Sequence, residues 1–190
     1  MTAGSASLID HLERFLGEIE VGWSGTPEAP DTSFQVVRFA RRAFGGVVFA
    51  TIGLSKHELR SRVSAKRIRQ ELMMIVPSPA DRRAPGLLQQ VAGEAVESGD
   101  AILRGDVIGP RGRLFDGSEM EALYAAAPVY LPDDFAVFVA RPTNVAIGWL
   151  VPISHSEAHF ILSRGWSEFE SKLAELDPDL VDMGRSPITS

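Results

Sequence analysis

Apolar residues near the N-terminus recur with the spacing of one helical face. The positions are Leu8, Ile9, Leu12, Phe15, Leu16 and Ile19. Ser7 stands where a capping residue is expected, with Asp10 three positions later, and together these features predict a first helix. Residues 22–30 are rich in glycine and proline, so we expect that stretch to interrupt regular structure.

Valine and phenylalanine dominate residues 34–43 and 47–52, and Gly45-Gly46 lies between them. Glycine readily adopts the positive φ angles of a tight turn, so the two segments are predicted to form an antiparallel hairpin. Residues 145–153 lack polar alternation, which is typical of a central strand covered on both faces. The other apolar runs predict strands at residues 69–76, 125–131 and 135–140, with a short strand in the glycine-rich loop 105–117.

The second half of the chain has three further helix patterns. Residues 85–98 carry an apolar face between a first-turn proline and a terminal glycine. Ser154 and Glu157 have the spacing of a capping box at the start of another helix. A last helix is predicted after Gly165, with its apolar face formed by Phe169, Leu173 and Leu176.

The order of these elements predicts an α+β fold. We expect a mixed, largely antiparallel sheet with helices packed on it. The chain has 190 residues, no internal repeat and no long linker, so residues 1–183 are predicted to form a single domain. Residues 184–190 are predicted to be a flexible tail.

Composition narrows the class of protein. Cysteine is absent, which excludes disulfides, thiolate metal sites and cysteine nucleophiles and is consistent with a cytoplasmic location. The formal net charge of −6 argues against nucleic-acid binding, which needs clustered cations. The longest apolar run is shorter than the ~20 residues of a membrane span, and the N-terminus lacks a secretory pattern.

The charges are unevenly distributed. Residues 56–71 contain six basic and two acidic residues, a net charge of +4. Residues 166–182 contain six acidic residues and Lys172. The basic stretch is either a solvated loop whose cations balance the acidic segment, or a docking face for an acidic partner.

Two histidines form the strongest candidate for metal chemistry. His155 and His159 lie four residues apart and would share a helical face that could hold Zn²⁺. The zinc-protease motif H-E-x-x-H places its glutamate next to the first histidine, whereas Glu157 lies two residues on. Capping by Ser154 and Glu157 accounts for the same residues, and no third ligand is evident, so no metal site is predicted.

Other sequence motifs do not form a catalytic set. Residues 105–113 resemble a phosphate-binding loop, but they lack the Gly-Lys-Ser/Thr ending, and Pro110 removes a backbone donor. The segment around Gly53 and Ser55 does not contain a G-x-S-x-G nucleophile turn. We therefore predict no catalytic residues and no cofactor.

Several blocks of the sequence, taken in order, resemble the suppressor-of-fused domain family. They are Trp23, residues 49–55 (FATIGLS), 69–75 (RQELMMI), 105–108 (GDVI) and 149–154 (WLVPIS), the last followed by Glu157. Two features depart from the family pattern. Ala50 replaces a bulkier residue before Thr51, and the chain has no room for the second, C-terminal domain of eukaryotic members.

This resemblance implies a compact protein that binds other proteins and has no enzymatic activity. The eukaryotic namesake restrains a zinc-finger transcription factor of Hedgehog signalling by gripping an extended segment of it. Short bacterial relatives are regarded as immunity proteins that block a toxin. The resemblance therefore favours a protein-masking domain, and toxin neutralisation is the expected form of that role.

For such a domain we predict electrostatic docking through the exposed cations Lys56, Arg60, Arg62, Lys66 and Arg67. Trp23 is a weaker candidate, as an aromatic anchor, because core packing is the more common role of a tryptophan. Two other hypotheses remain open from the sequence. One is a metal-dependent hydrolase that uses His155 and His159, and the other is a structural subunit of a larger complex.

Overall fold

The computed structural model describes residues 7–25, 33–78 and 80–189. The helices are α1 (Leu8–Leu16), α2 (Ala84–Ser98), α3 (His155–Arg164) and α4 (Trp166–Leu176). The strands are β1 (Ile19–Ser24), β2 (Gln35–Ala43), β3 (Gly46–Ile52), β4 (Leu59–Arg60), β5 (Arg67–Val76), β6 (Val107–Ile108), β7 (Met120–Ala126), β8 (Val137–Phe138) and β9 (Val145–Ser154). Short 3₁₀ turns lie at Leu54–Lys56, Ala80–Arg82 and Asp133–Phe135.

The strands form one mixed sheet in the order β1-β2-β3-β5-β9-β7-β6. β4 pairs with β5, and β8 pairs with β9. Among these strand pairs only β5 and β9 run parallel, and the others are antiparallel. The sequence-based prediction of an α+β fold with a largely antiparallel mixed sheet is therefore confirmed.

Helices cover both faces of the sheet. On one face α1, α3 and α4 contribute Leu12, Ile161 and Phe169 to a core that includes Trp149. On the other face α2 packs against a second core that includes Leu150. Trp149 and Leu150, neighbours in β9, enter opposite cores, so this part of the strand is covered on both faces as predicted.

The predicted helix starts and the β2–β3 hairpin are confirmed, but the turn consists of Phe44 and Gly45, because Gly46 pairs with Ala43 as the first residue of β3. Ser7 and Asp10 form a reciprocal capping box at α1, and Ser154 and Glu157 form another at α3. β2 and β3 are joined at Gly45, whose φ of +76° suits the tight turn. Gly99 ends α2 in the left-handed conformation. Within the described ranges, no helix combines the length and apolar content needed to cross a bilayer.

Four predicted boundaries are corrected by the structure. Residues 22–24 belong to β1, because Trp23 pairs with Val36 in the ladder, and residues 26–30 of that predicted break lie outside the described residues. The strand predicted at 125–131 ends at residue 126, where the chain turns at Pro128. The strand predicted at 135–140 is reduced to Val137–Phe138 by the preceding 3₁₀ turn. The basic stretch contains β4 and the start of β5.

The C-terminal segment packs against the domain through an ion pair that sequence analysis did not anticipate. The side chains of Arg185 and Glu157 are 5% and 0% exposed, and their closest atoms lie 2.6 Å apart. Glu157 also accepts a hydrogen bond from the Ile188 N–H. These contacts hold part of the segment that was expected to be a flexible tail, residues 184–190, against the start of α3.

Candidate partner-binding surface

The basic stretch folds into a hairpin, which we call the cationic hairpin (residues 56–69). Leu59 pairs with Ile68, and Arg60 pairs with Arg67 across the two strands. Leu59 is buried with alanines from α2 and the chain that follows it, so the root of the hairpin is anchored in the domain. At its tip Val63 is 84% exposed, which is the largest exposure among the exposed large apolar residues of the described chain.

Half of the hairpin's cations are balanced by neighbouring carboxylates. Three ion pairs join Arg60 to Asp100, Arg62 to Asp106 and Arg69 to Glu58. These carboxylates belong to the hairpin and the segment after α2, not to the acidic segment 166–182. The interpretation of the basic stretch as a counterweight to that acidic segment is therefore not supported by the described contacts.

The remaining cations form the surplus charge of the surface. Lys56, Lys66 and Arg67 are exposed, and none has a carboxylate within ion-pair distance among the described residues. The Arg67 guanidinium reaches only the carbonyl oxygen of Glu58, at 3.5 Å. Such unpaired cations are solvated and free to meet an opposite charge on another molecule.

A buried carboxylate fixes the chain that leads into the hairpin. Glu71 is 0% exposed and accepts hydrogen bonds from the Thr51 hydroxyl at 2.6 Å and from the backbone N–H groups of Gly53 and Ser55 at 3.0 and 3.1 Å. Burial raises the pKa of Glu71 above its ordinary value, although these hydrogen bonds oppose the shift. Glu71 thereby positions the 3₁₀ turn that carries Lys56.

Trp23 lies at the same end of the sheet as the cationic hairpin. The axes of β1 and β5 lie about 14 Å apart at the usual strand spacing, because two strands separate them, and the register places the hairpin several residues further along β5 than the level of Trp23. Trp23 is half-buried, and its ring centroid lies 6.0 Å from that of Phe49 in the second core. The structure therefore gives Trp23 a packing role and leaves part of its surface accessible on the edge strand.

A groove of about 580 Å³ adjoins the hairpin between α2 and the edge strand β6. Arg62 lies on its rim, and a second pair, Glu94 with Arg111, crosses its far end with N–O distances of 2.5 and 2.7 Å. Sequence analysis missed this groove and the acidic partners of the hairpin. About 40 residues separate Arg60 from Asp100, so no local spacing could have linked them.

The residues considered for metal chemistry do not converge. The His155 ring nitrogen lies 3.2 Å from a Glu121 carboxylate oxygen, and both His155 and His159 are exposed. Glu157 points into the domain toward Arg185. In the parts of the chain that the structure describes, no group of three or more His, Asp or Glu side chains is arranged to hold a metal ion.

The residues that resembled a phosphate-binding loop have a packing role. Gly105 has a φ of +96°, and a Cβ atom at this position would lie 2.5 Å from the Trp166 ring. The Arg104 guanidinium also lies over the Trp166 ring, 5.2 Å from the ring centroid. This glycine is therefore needed for a turn and for close approach of the indole, in agreement with the turn predicted from sequence.

Comparison with known proteins places the chain in a family. The family model for suppressor of fused protein (SUFU) matches residues 30–186, and no match was found among curated protein sequences. A SUFU homolog from Neisseria gonorrhoeae has a similar structure, with a TM-score of 0.74 and 21% identity over 95% of this chain and 93% of that one. A chain of the Sufu–Fu complex gives a TM-score of 0.73 at 13% identity, covering 97% and 92%. Drosophila Suppressor of Fused gives 0.62 at 15% identity, covering 95% of this chain and 50% of that one. The chain therefore belongs to the suppressor of fused protein family.

Proposed function

We propose that this chain is a non-catalytic domain that binds and masks a protein partner through the cationic hairpin. The observation that carries the proposal is the surplus of exposed cations, Lys56, Lys66 and Arg67, on an anchored two-stranded hairpin. Arg60 and Arg62 extend the same surface, with more than half of each side chain exposed beside its carboxylate partner. Clustered charge of one sign speeds association with a partner of the opposite sign.

Membership of the SUFU family supports a protein partner. The similar fold in the Sufu–Fu complex belongs to a chain crystallised with a protein partner, and protein binding is the role that we transfer to this chain. The partner is expected to present an acidic surface to the hairpin. Trp23, at the same end of the sheet, would provide an aromatic contact at the edge of that interface.

The finer form of the proposal is that the partner is a toxin and that masking neutralises it in the cytoplasm. Its support is the resemblance to short, single-domain bacterial members of the family. The chain covers 93% of the Neisseria homolog and 50% of Drosophila Suppressor of Fused. Co-expression with the product of the adjacent gene tests this form, because neutralisation predicts that growth inhibited by that product is restored.

Affinity purification from the native cells tests the proposed surface. Three tagged forms are compared: the wild type, the hairpin variant Lys66→Glu/Arg67→Glu, and the control variant Arg14→Glu/Arg113→Glu. The control makes the same change in net charge at two exposed arginines outside the hairpin. We expect the wild type and the control to capture the same protein in equal amounts, and the hairpin variant to capture at least tenfold less of it.

Two outcomes would contradict the proposal. If the wild type repeatedly purifies alone, the chain is not a masking domain. If the hairpin variant retains the partner as well as the control does, binding takes place on another surface. For a captured partner, the association rate should also fall steeply as salt is raised, because the surplus charges are exposed and therefore screened.

A further inference from the structure

A second surface lies on the other face of the sheet from α2. Here α4 and the segment after it face the end of β7 across a cleft of about 390 Å³, which we call the α4 cleft. Its walls are mostly apolar and include Val129, Tyr130, Leu173 and Leu180. A cleft of this size can hold one or two large side chains.

The polar groups inside the α4 cleft are already paired with each other. The Tyr124 hydroxyl donates a 2.8 Å hydrogen bond to Glu170, and the Arg104 guanidinium binds both carboxylate oxygens of Glu170. Burial raises the pKa of Glu170, but the bonds from Arg104 and Tyr124 outweigh it, so the pKa lies below its ordinary value. The negative charge of Glu170 is therefore compensated within the cleft, and a charged ligand is not needed to balance it.

The rim of the cleft carries uncompensated negative charge. Asp177 lines the cleft, and Asp179 lies between the lining residues Pro178 and Leu180. Neither aspartate has an ion-pair partner among the described residues. The single lysine of segment 166–182, Lys172, is directed toward the Phe160 ring, 5.6 Å from its centroid.

Exposed apolar residues extend the cleft onto the surface. Val129 is 67% exposed, and Phe44 is 50% exposed with its ring 4.7 Å from that of Tyr130. The Tyr130 hydroxyl is fixed by bonds to the Pro178 carbonyl and the Leu180 N–H, at 3.3 and 3.0 Å. The result is a preformed apolar surface with an acidic border.

We propose that the α4 cleft binds a partner segment in which one or two large apolar side chains stand next to lysine or arginine. The acidic rim favours the lysine or arginine of the segment by charge complementarity, and the apolar walls favour its large apolar side chains. This proposal rests on the proposed protein-binding role but uses a surface separate from the cationic hairpin. The hairpin of a second copy is a poor occupant, because Val63, the exposed large apolar side chain at its tip, would fill little of the cleft.

A random peptide library displayed on phage tests this proposal with the purified chain. Peptides selected on the wild type are synthesised, and their dissociation constants are measured by calorimetry. The cleft variants are Val129→Lys and Asp177→Asn; asparagine also tolerates the left-handed conformation of residue 177. The matched controls are Val63→Lys, at another exposed valine, and Glu175→Gln, at an exposed acid in the last turn of α4.

We expect selected peptides to combine a large apolar residue with Lys or Arg. Val129→Lys should weaken their binding at least tenfold and Asp177→Asn about threefold, while both controls bind like the wild type. Peptides that are acidic, or that are insensitive to Val129→Lys, would overturn the proposal, as would a library that yields no binder. Self-association lost equally in Val129→Lys and Val63→Lys would also overturn it, in favour of a second copy.

The same measurements separate this proposal from the proposed function. The hairpin variant Lys66→Glu/Arg67→Glu should bind the selected peptides with unchanged affinity. If the hairpin variant still binds its native partner and peptide binding still depends on Val129, the proposal for the α4 cleft is supported and the proposed role of the hairpin is wrong. If the peptides ignore the cleft while the native partner requires the hairpin, the reverse holds.

Discussion

At the scale of single residues, buried carboxylates decide how the loops of this domain are held. Glu71 has three hydrogen-bond donors around it and no basic partner among the described residues. Glu157 instead has Arg185 within 2.6 Å, in a pair with almost no solvent contact. Two residues of the same type therefore stabilise neighbouring segments by different means. Removal of Arg185 alone would leave a buried charge unpaired, which typically costs about 3–5 kcal/mol.

Glu71→Gln should change how stability depends on pH. Because the pKa of Glu71 is raised above 4.5, the folded protein holds this proton to a higher pH than the unfolded chain does. The contribution of Glu71 to the free energy of unfolding is fully present below the ordinary pKa of 4.5, and it is lost as the pH rises through the raised pKa. Glutamine does not ionise, so the stability of the wild type relative to Glu71→Gln should fall across this window.

Urea denaturation between about pH 4 and pH 8 measures this effect. Glu119→Gln is the control, because Glu119 is exposed and its removal leaves the interior unchanged. Parallel pH profiles for the wild type and Glu71→Gln would contradict the assignment of a raised pKa to Glu71.

At the scale of elements, the helices and the β2–β3 hairpin could be predicted because their signals are local. Capping pairs such as Ser7 with Asp10, and a turn glycine such as Gly45, act over a few residues. β1 escaped prediction because Trp23 acquires its strand conformation from pairing with Val36. The α4 cleft was not predicted either, because its walls come from segments that lie about 50 residues apart in the chain and meet only in the folded protein.

The tip of the cationic hairpin should be dispensable for folding. Residues 61–66 join β4 to β5, and replacing all six with Asn-Gly supplies a two-residue turn between the same strands. We expect thermal stability within a few degrees of the wild type, because the buried root at Leu59 remains. Partner capture should fall at least tenfold, since Arg62 and Lys66 are removed.

A matched control is available in the β8–β9 connection. Residues 139–144 are also six in number and join two paired antiparallel strands. Replacing them with Asn-Gly should leave partner capture intact. Equal losses in both variants would mean that capture depends on general stability and not on the hairpin.

At the scale of the whole molecule, charge of opposite sign is concentrated on separate surfaces. The cationic hairpin extends from the N-terminal end of β5, and the acidic segment follows α3 on the opposite helical layer from α2. The net charge of −6 gives no indication that the basic and acidic residues lie on separate surfaces. A protein with this charge distribution can present two surfaces that select partner segments of different composition.

A chain truncated after residue 144 should fail to fold. It would lack β9, which lies between β5 and β7 and contributes Trp149 and Leu150 to the two cores. Circular dichroism and one-dimensional NMR of residues 1–144 should show the loss of cooperative unfolding and of dispersed methyl signals. A cooperative transition like that of the full chain would contradict this central role.

The parallel pairing of β5 with β9 also has a consequence in the living cell. The two strands lie roughly 75 residues apart, so the ladder forms only after most of the polypeptide has left the ribosome. Until then the edge of β5 that β9 covers in the folded protein is open to other molecules. Nascent chains that stall before residue 145 keep this edge unpaired, and we expect them to bind chaperones.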